Sequence, residues 1–82
     1  MTRVRYTSMT SAEMKAVREA ANLSETQDEI FTDLCRGDLY NYAICQRRAI
    51  DARAFYRQKK LIEEKCARVL PALGMDYLLS QK

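Results

Sequence analysis

The sequence predicts an all-α fold, one small domain of about four helices that includes a helix-turn-helix, and three observations carry that expectation. Helix-start residues recur at Thr10, Ser24, Asp38 and Asp51, each ahead of an amphipathic stretch. Within those stretches the apolar residues return at helical spacing, as on a helix with one buried stripe. No internal repeat, Pro- or Ser-rich linker or low-complexity stretch divides residues 1–82. A chain of 82 residues builds a core near the lower limit for independent stability, so oligomerisation or a bound partner is expected to add to it.

Residues 1–9 (MTRVRYTSM) carry too short an apolar pattern to assign and read as an arm or a brief strand. The first helix is expected over about residues 11–21. Thr10 and Glu13 form a T-x-x-E capping box, Met9 and Met14 take the staple positions around it, and Met14, Val17 and Ala21 repeat at helical spacing. Ser24 with Gln27 repeats the box and opens a second helix, whose Ile30, Phe31, Leu34 and Cys35 make a broad apolar stripe. Gly37 ends it, because glycine readily takes the left-handed conformation that follows a helix, and Asp38 is placed to cap the next one.

The third helix is expected from Leu39 to about Arg47, with Leu39, Tyr42, Ala43 and Ile44 turned inward. The fourth is expected from Ala52 to about Val69, where Phe55, Ile62, Cys66 and Val69 form one stripe, and Pro71 lies just beyond its end. The tail, residues 70–82, holds Leu73, Met75, Tyr77, Leu78 and Leu79, too dense an apolar cluster for a solvated end. It either folds back on the core or makes a subunit contact; in the second case it joins two copies into a homodimer.

Several function classes are disfavoured. No apolar run is long enough to span a bilayer and the N-terminus lacks the apolar core of a signal peptide, so a cytoplasmic location with no membrane contact is expected. Cys35, Cys45 and Cys66 are odd in number, far apart and unaccompanied by any histidine. That pattern argues against a common zinc site and for buried free thiols in a reduced compartment. An enzyme is not expected, and neither is a cofactor: histidine and glycine-rich phosphate loops are absent. The adjacent Glu63 and Glu64 point to different sides of their helix, and are expected to pair with Lys59, Lys60 or Arg68 one turn away.

Charge is distributed unevenly. The net charge is only +3, yet residues 46–60 hold Arg47, Arg48, Arg53, Arg57, Lys59 and Lys60 against the single acid Asp51, whereas residues 1–37 hold five bases and six acids. One segment therefore carries the positive field, as on a surface that follows a phosphate backbone. That segment also holds the clearest local signals. Asp51 is a strong N-cap, and Ile50 and Phe55 have the spacing of a hydrophobic staple that fixes how the chain enters the helix.

Aligned on Ile44, the chain places Cys45 where a helix-turn-helix needs a small residue, Ala49 at the turn, Ile50 and Phe55 at core positions and Ile62 further along the reading helix. With Gly37 ahead and Lys65 behind, residues 23–69 resemble the pattern G…I-A-x-x-L-x-I-S-x-x-T-F/V-x-x-x-x-x-x-I-x-x-K. That pattern belongs to the promoter-recognition domain of sigma factors, to response-regulator effector domains and to small sigma-like regulators of phages and mobile elements. IDARAFYRQKK is most similar to the I-S-x-S-T-F-Y-R-x-K-K segment of the phage-type regulators. The resemblance implies sequence-specific binding of double-stranded DNA, as in a transcriptional regulator, and admits RNA polymerase or another protein as a further partner. Three residues depart from the pattern: Arg48 stands where a leucine packs, Ala49 replaces the glycine or polar turn residue, and Asp51 replaces the capping serine.

On this reading Ala52, Arg53, Tyr56, Arg57 and Lys60 face outward, Arg53 and Arg57 are the candidates for base contact, and Arg47, Arg48, Lys59 and Lys60 clamp the backbone. Tyr56, with Tyr40, offers a ring to bases or sugars, while Tyr42 is expected to pack inward. Two alternatives stay open at this point. No glycine or proline interrupts Asp38 to Leu70, so without a turn at residues 45–50 this span forms one long helix. The basic helix also suits a small protein-interaction module, an inhibitor or adaptor that docks against an acidic partner surface.

Overall fold

The caps at Thr10, Ser24 and Asp51 each start a helix. The computed structural model describes residues 2–81 and contains β1 (Thr2–Val4), a 3-10 turn, α1 (Ser11–Ala21), α2 (Glu25–Arg36), α3 (Asn41–Arg47), α4 (Ala52–Ala72), a second 3-10 turn and β2 (Leu79–Gln81). Met1 and Lys82, at the ends of the expected arm and tail, lie outside the described residues. Thr10 and Ser24 make complete capping boxes with Glu13 and Gln27, so two orphan backbone donors are satisfied at each helix start. No helix among the described residues is long and apolar enough to cross a membrane.

The molecule is organised around α4, against which α1, α2, α3 and β1 all pack. The core is one cluster in which Val17, Ile30, Phe31, Ile44, Phe55, Ile62, Cys66 and Leu70 are fully enclosed. Side chains of that size each contribute about 1.5–3 kcal/mol on burial, which makes this cluster the main source of stability in so short a chain. All three cysteines are buried free thiols. Burial pushes the thiols of Cys35 and Cys66 up to about 12, with the Cys66 and Glu63 charges, respectively, adding to the effect.

The segments that hold Val4 and Leu78, near either end of the described residues, both reach the core. β1 and β2 pair antiparallel with Arg3 opposite Ser80 and Val4 opposite Leu79, and the Arg5 N–H donates to the Leu78 carbonyl at 2.8 Å. Val4, Tyr6 and Met9 are buried, and the Tyr6 ring meets Phe31 edge-on at a centroid distance of 6.0 Å. The N-terminal segment is thus a strand and a turn rather than a free arm. Gly37 suits its position beside that segment: φ is +72°, and a Cβ there would come within 2.5 Å of the Thr7 methyl, so any other residue would have to displace that side chain as well as adopt the left-handed backbone. The tail folds back as well. Leu78 is fully buried and Met75 and Leu79 pack on the cluster, so the tail takes the first of its two expected courses and is a core element of its own chain, with Leu73 and Tyr77 exposed.

Two boundaries and one side-chain orientation differ from expectation. Asp38 does not cap α3; its carboxylate pairs with Arg36 at 2.7 Å, and α3 starts later, after Tyr40, without a side-chain cap. Tyr42 faces out, 72% exposed, because Ile44 and Cys45 are the residues α3 buries and Tyr42 lies two positions before Ile44, on the opposite side of the helix. α4 runs through Pro71 and ends at Leu73, where Gly74 at φ +74° donates to the Pro71 carbonyl and Met75 to the Leu70 carbonyl. That double reverse bond closes the helix end, and proline in the last turn loses only one backbone donor.

Candidate nucleic-acid interface

The chain turns between α3 and α4. The Ala49 N–H donates to the Gln46 carbonyl at 3.2 Å and the Ile50 N–H to the Cys45 carbonyl at 3.0 Å, the pair of reverse bonds that terminates a helix through a left-handed residue. That residue is Ala49, at φ +55°. Ile50 packs against the core, Asp51 Oδ1 accepts the Ala54 N–H at 2.8 Å, and α4 sets off with Phe55 fully buried. One continuous helix from Asp38 to Leu70 is therefore not what the sequence forms.

What holds the turn is Arg48. Its guanidinium donates to both carboxylate oxygens of Asp33, Nε to Oδ2 at 2.9 Å and Nη2 to Oδ1 at 3.2 Å, and through Nη1 to Glu29 at 2.8 Å. Asp33 is buried on α2, so the pair ties the turn to that helix. Arg48 is consequently not a free backbone clamp. Its charge is committed inside the protein, and the hydrogen bonds to Asp33 raise its pKa. Arg47 stays exposed, with Nη1 4.0 Å from Asp33. An arginine at a position that packs inward needs a buried acid; that requirement was a usable signal for Asp33 in the sequence.

A second polar contact sets α4 against α2. Gln27 donates to Gln58 at 3.0 Å, and its amide oxygen accepts from Lys65 Nζ at 2.6 Å while also serving the Ser24 cap. With both ends of the contact fixed, the opposite face of α4 is defined. Arg53, Tyr56, Arg57 and Lys60 are exposed on it, away from Phe55, Ile62 and Cys66; Lys59 is half-buried at its side. Arg53, Arg57 and Lys60 make no ion pair within 4.0 Å among the described residues. The Asn41 amide donates to the Tyr56 hydroxyl at 3.4 Å, so the ring lies over the start of α3. Glu63 and Glu64 form no ion pair within 4.0 Å with Lys59, Lys60 or Arg68, contrary to expectation.

Arg3, not among the residues that the charge pattern singles out, also lies beside α4. Period-two alternation in R-V-R-Y buries Val4 and Tyr6 and leaves Arg3 and Arg5 outside, and β1 lies against α4, so Arg3 lines a groove with Tyr56, Lys59 and Lys60. The alternation was visible; the pairing of the two chain ends that places it was not. Among the described residues no group of three or more His, Cys, Asp or Glu is placed to hold a metal ion. Compared with family models, curated proteins and solved structures, the chain matches none.

Proposed function

We propose that this protein binds double-stranded DNA sequence-specifically, as a regulator of transcription acting in the cytoplasm without catalysis. One observation carries the reading: α4 begins at a capped turn and presents Arg53, Tyr56, Arg57 and Lys60 on one exposed face, with the charges of Arg53, Arg57 and Lys60 unpaired among the described residues. A helix enters the major groove by its N-terminal half, where an arginine fork matches the acceptor edge of guanine and a lysine neutralises phosphate. Arg53 and Arg57, one turn apart, are the base-reading pair; Arg47, Lys59 and Lys60 are the phosphate contacts. Selection of bound sequences from random duplex DNA tests this. A common site, with affinity falling steeply as salt rises, supports it; equal binding of all duplexes, or none, rejects it.

A second reading rests on a different observation. Tyr40 is 88% exposed, and Tyr42 and Tyr56 flank a hollow of about 410 Å³ at the turn, floored by Cys45 and Ile50. Aromatic rings beside an apolar hollow suit a protein partner, RNA polymerase or another, with an acidic surface for the neighbouring basic helix. Salt-insensitive capture of a protein, with no preferred duplex, would favour this reading over the first.

A further inference from the structure

Resting on the DNA reading above, we propose that β1 supplies a second grip on the nucleic acid, in which Arg3 joins Lys59 and Lys60 to hold the sugar-phosphate strand beside the reading helix. The three cations line one groove of about 750 Å³ between β1 and α4. Its floor is Val4 and Tyr6, both buried, so the groove is built on the core. Along α4 its wall reads Tyr56, Lys59 and Lys60, then, a turn further on, Glu63 and Glu64. Tyr56 and Lys60 belong also to the exposed face with Arg53 and Arg57, which makes the groove a flank of that face.

A helix lying in a major groove about 12 Å wide has a phosphate strand along each side. The flank toward β1 offers a guanidinium, which matches two phosphate oxygens at once, and two ammonium groups. None of the three forms an ion pair within 4.0 Å among the described residues, although two carboxylates share the groove. Those carboxylates set a direction. A phosphate strand is held at the Lys59 and Lys60 end and repelled at the Glu63 and Glu64 end, so it crosses the groove and leaves α4 within a turn.

The test is titration of the selected duplex, from about 50 to 200 mM salt, with the parent protein, Arg3→Ala and Arg3→Lys, alongside Arg53→Ala. Arg3→Ala should lower the log–log salt slope by about one, which over that range removes roughly three- to fourfold of salt-dependent affinity, and should weaken all duplexes alike with base preference unchanged. Arg3→Lys should keep the parent slope. Thermal unfolding should be the same for all three, because Arg3 is exposed. A parental slope in Arg3→Ala, or the same loss in Arg3→Lys, overturns the second grip, and the DNA reading still stands if Arg53→Ala loses the preferred site. A parent protein with no salt-dependent duplex binding overturns both.

Discussion

Arg48 reaches from the turn between α3 and α4 to Asp33 in the middle of α2, and both carboxylate oxygens of that buried acid accept from its guanidinium, at 2.9 and 3.2 Å. An ion pair therefore joins the turn to α2. Removing one partner strands a buried charge, whereas removing both restores an apolar contact. Arg48→Leu alone should therefore destabilise the fold, and Asp33→Leu with Arg48→Leu should recover most of the loss. Urea unfolding of both variants checks this; equal losses would mean that the pair is incidental.

Ala49 adopts a left-handed backbone that costs an L-residue about 1–2 kcal/mol, while its extra unfolded-state stiffness gives back less than 1. Ala49→Gly should raise stability by about 0.5–1 kcal/mol, and Ala49→Val should lower it. A stabilising valine would contradict the φ of +55°.

Asp51 caps α4 through the Ala54 N–H at 2.8 Å. Asp51→Ala should cost about 0.5–2 kcal/mol, and Asp51→Ser much less, because serine offers the same acceptor. Thermal unfolding of the two variants separates capping from any effect of charge.

Tyr6 has a buried hydroxyl with no hydrogen-bond partner, and burial pushes its pKa far above the usual phenol value. Tyr6→Phe should keep the edge-on contact with Phe31 and remove an unsatisfied group, gaining about 1 kcal/mol. The thiols give a pH signature. Cys35 and Cys66 titrate at about 12 when folded against an ordinary 9.0, so above pH 9 the unfolded chain releases protons that the folded one retains. The stability they contribute is complete below about pH 9 and is lost as pH rises toward 12. Native protein near pH 8 should leave both thiols unreactive toward a thiol reagent until it is unfolded.

Base reading and phosphate contact should separate in binding. Arg53→Ala or Arg57→Ala should each cost about 1–3 kcal/mol at the selected site and relax the preference at one base position, while Lys60→Ala weakens all duplexes equally. Arginine variants that bind the selected site as well as the parent would remove α4 as the reading helix.

Local rules made most of the helices legible. Thr10, Ser24 and Asp51 start helices because a capping side chain acts on backbone three residues away, and both ends of that contact are written in the sequence. Asp38 offers the same chemistry, yet Arg36 competes for its carboxylate at 2.7 Å and α3 begins without it. The exposed face of α4 was legible for the same reason, since helical spacing alone puts Arg53, Arg57 and Lys60 opposite Phe55 and Ile62. The surroundings of Arg48 and Arg3 were not legible because they depend on Asp33, fifteen positions away, and on β2, almost a chain length away.

The β1–β2 clip also bears on synthesis. Residues 2–4 are made well before their partners, residues 79–81, so the strand that carries Arg3 waits unpaired while the residues of the capped helices α1 and α2 are already made. A nascent chain cut short before residue 79 can hold a turn and a basic helix, yet it lacks the pairing that sets Arg3 beside them. The positive surface is then complete only once residues 79–81 have been made and paired.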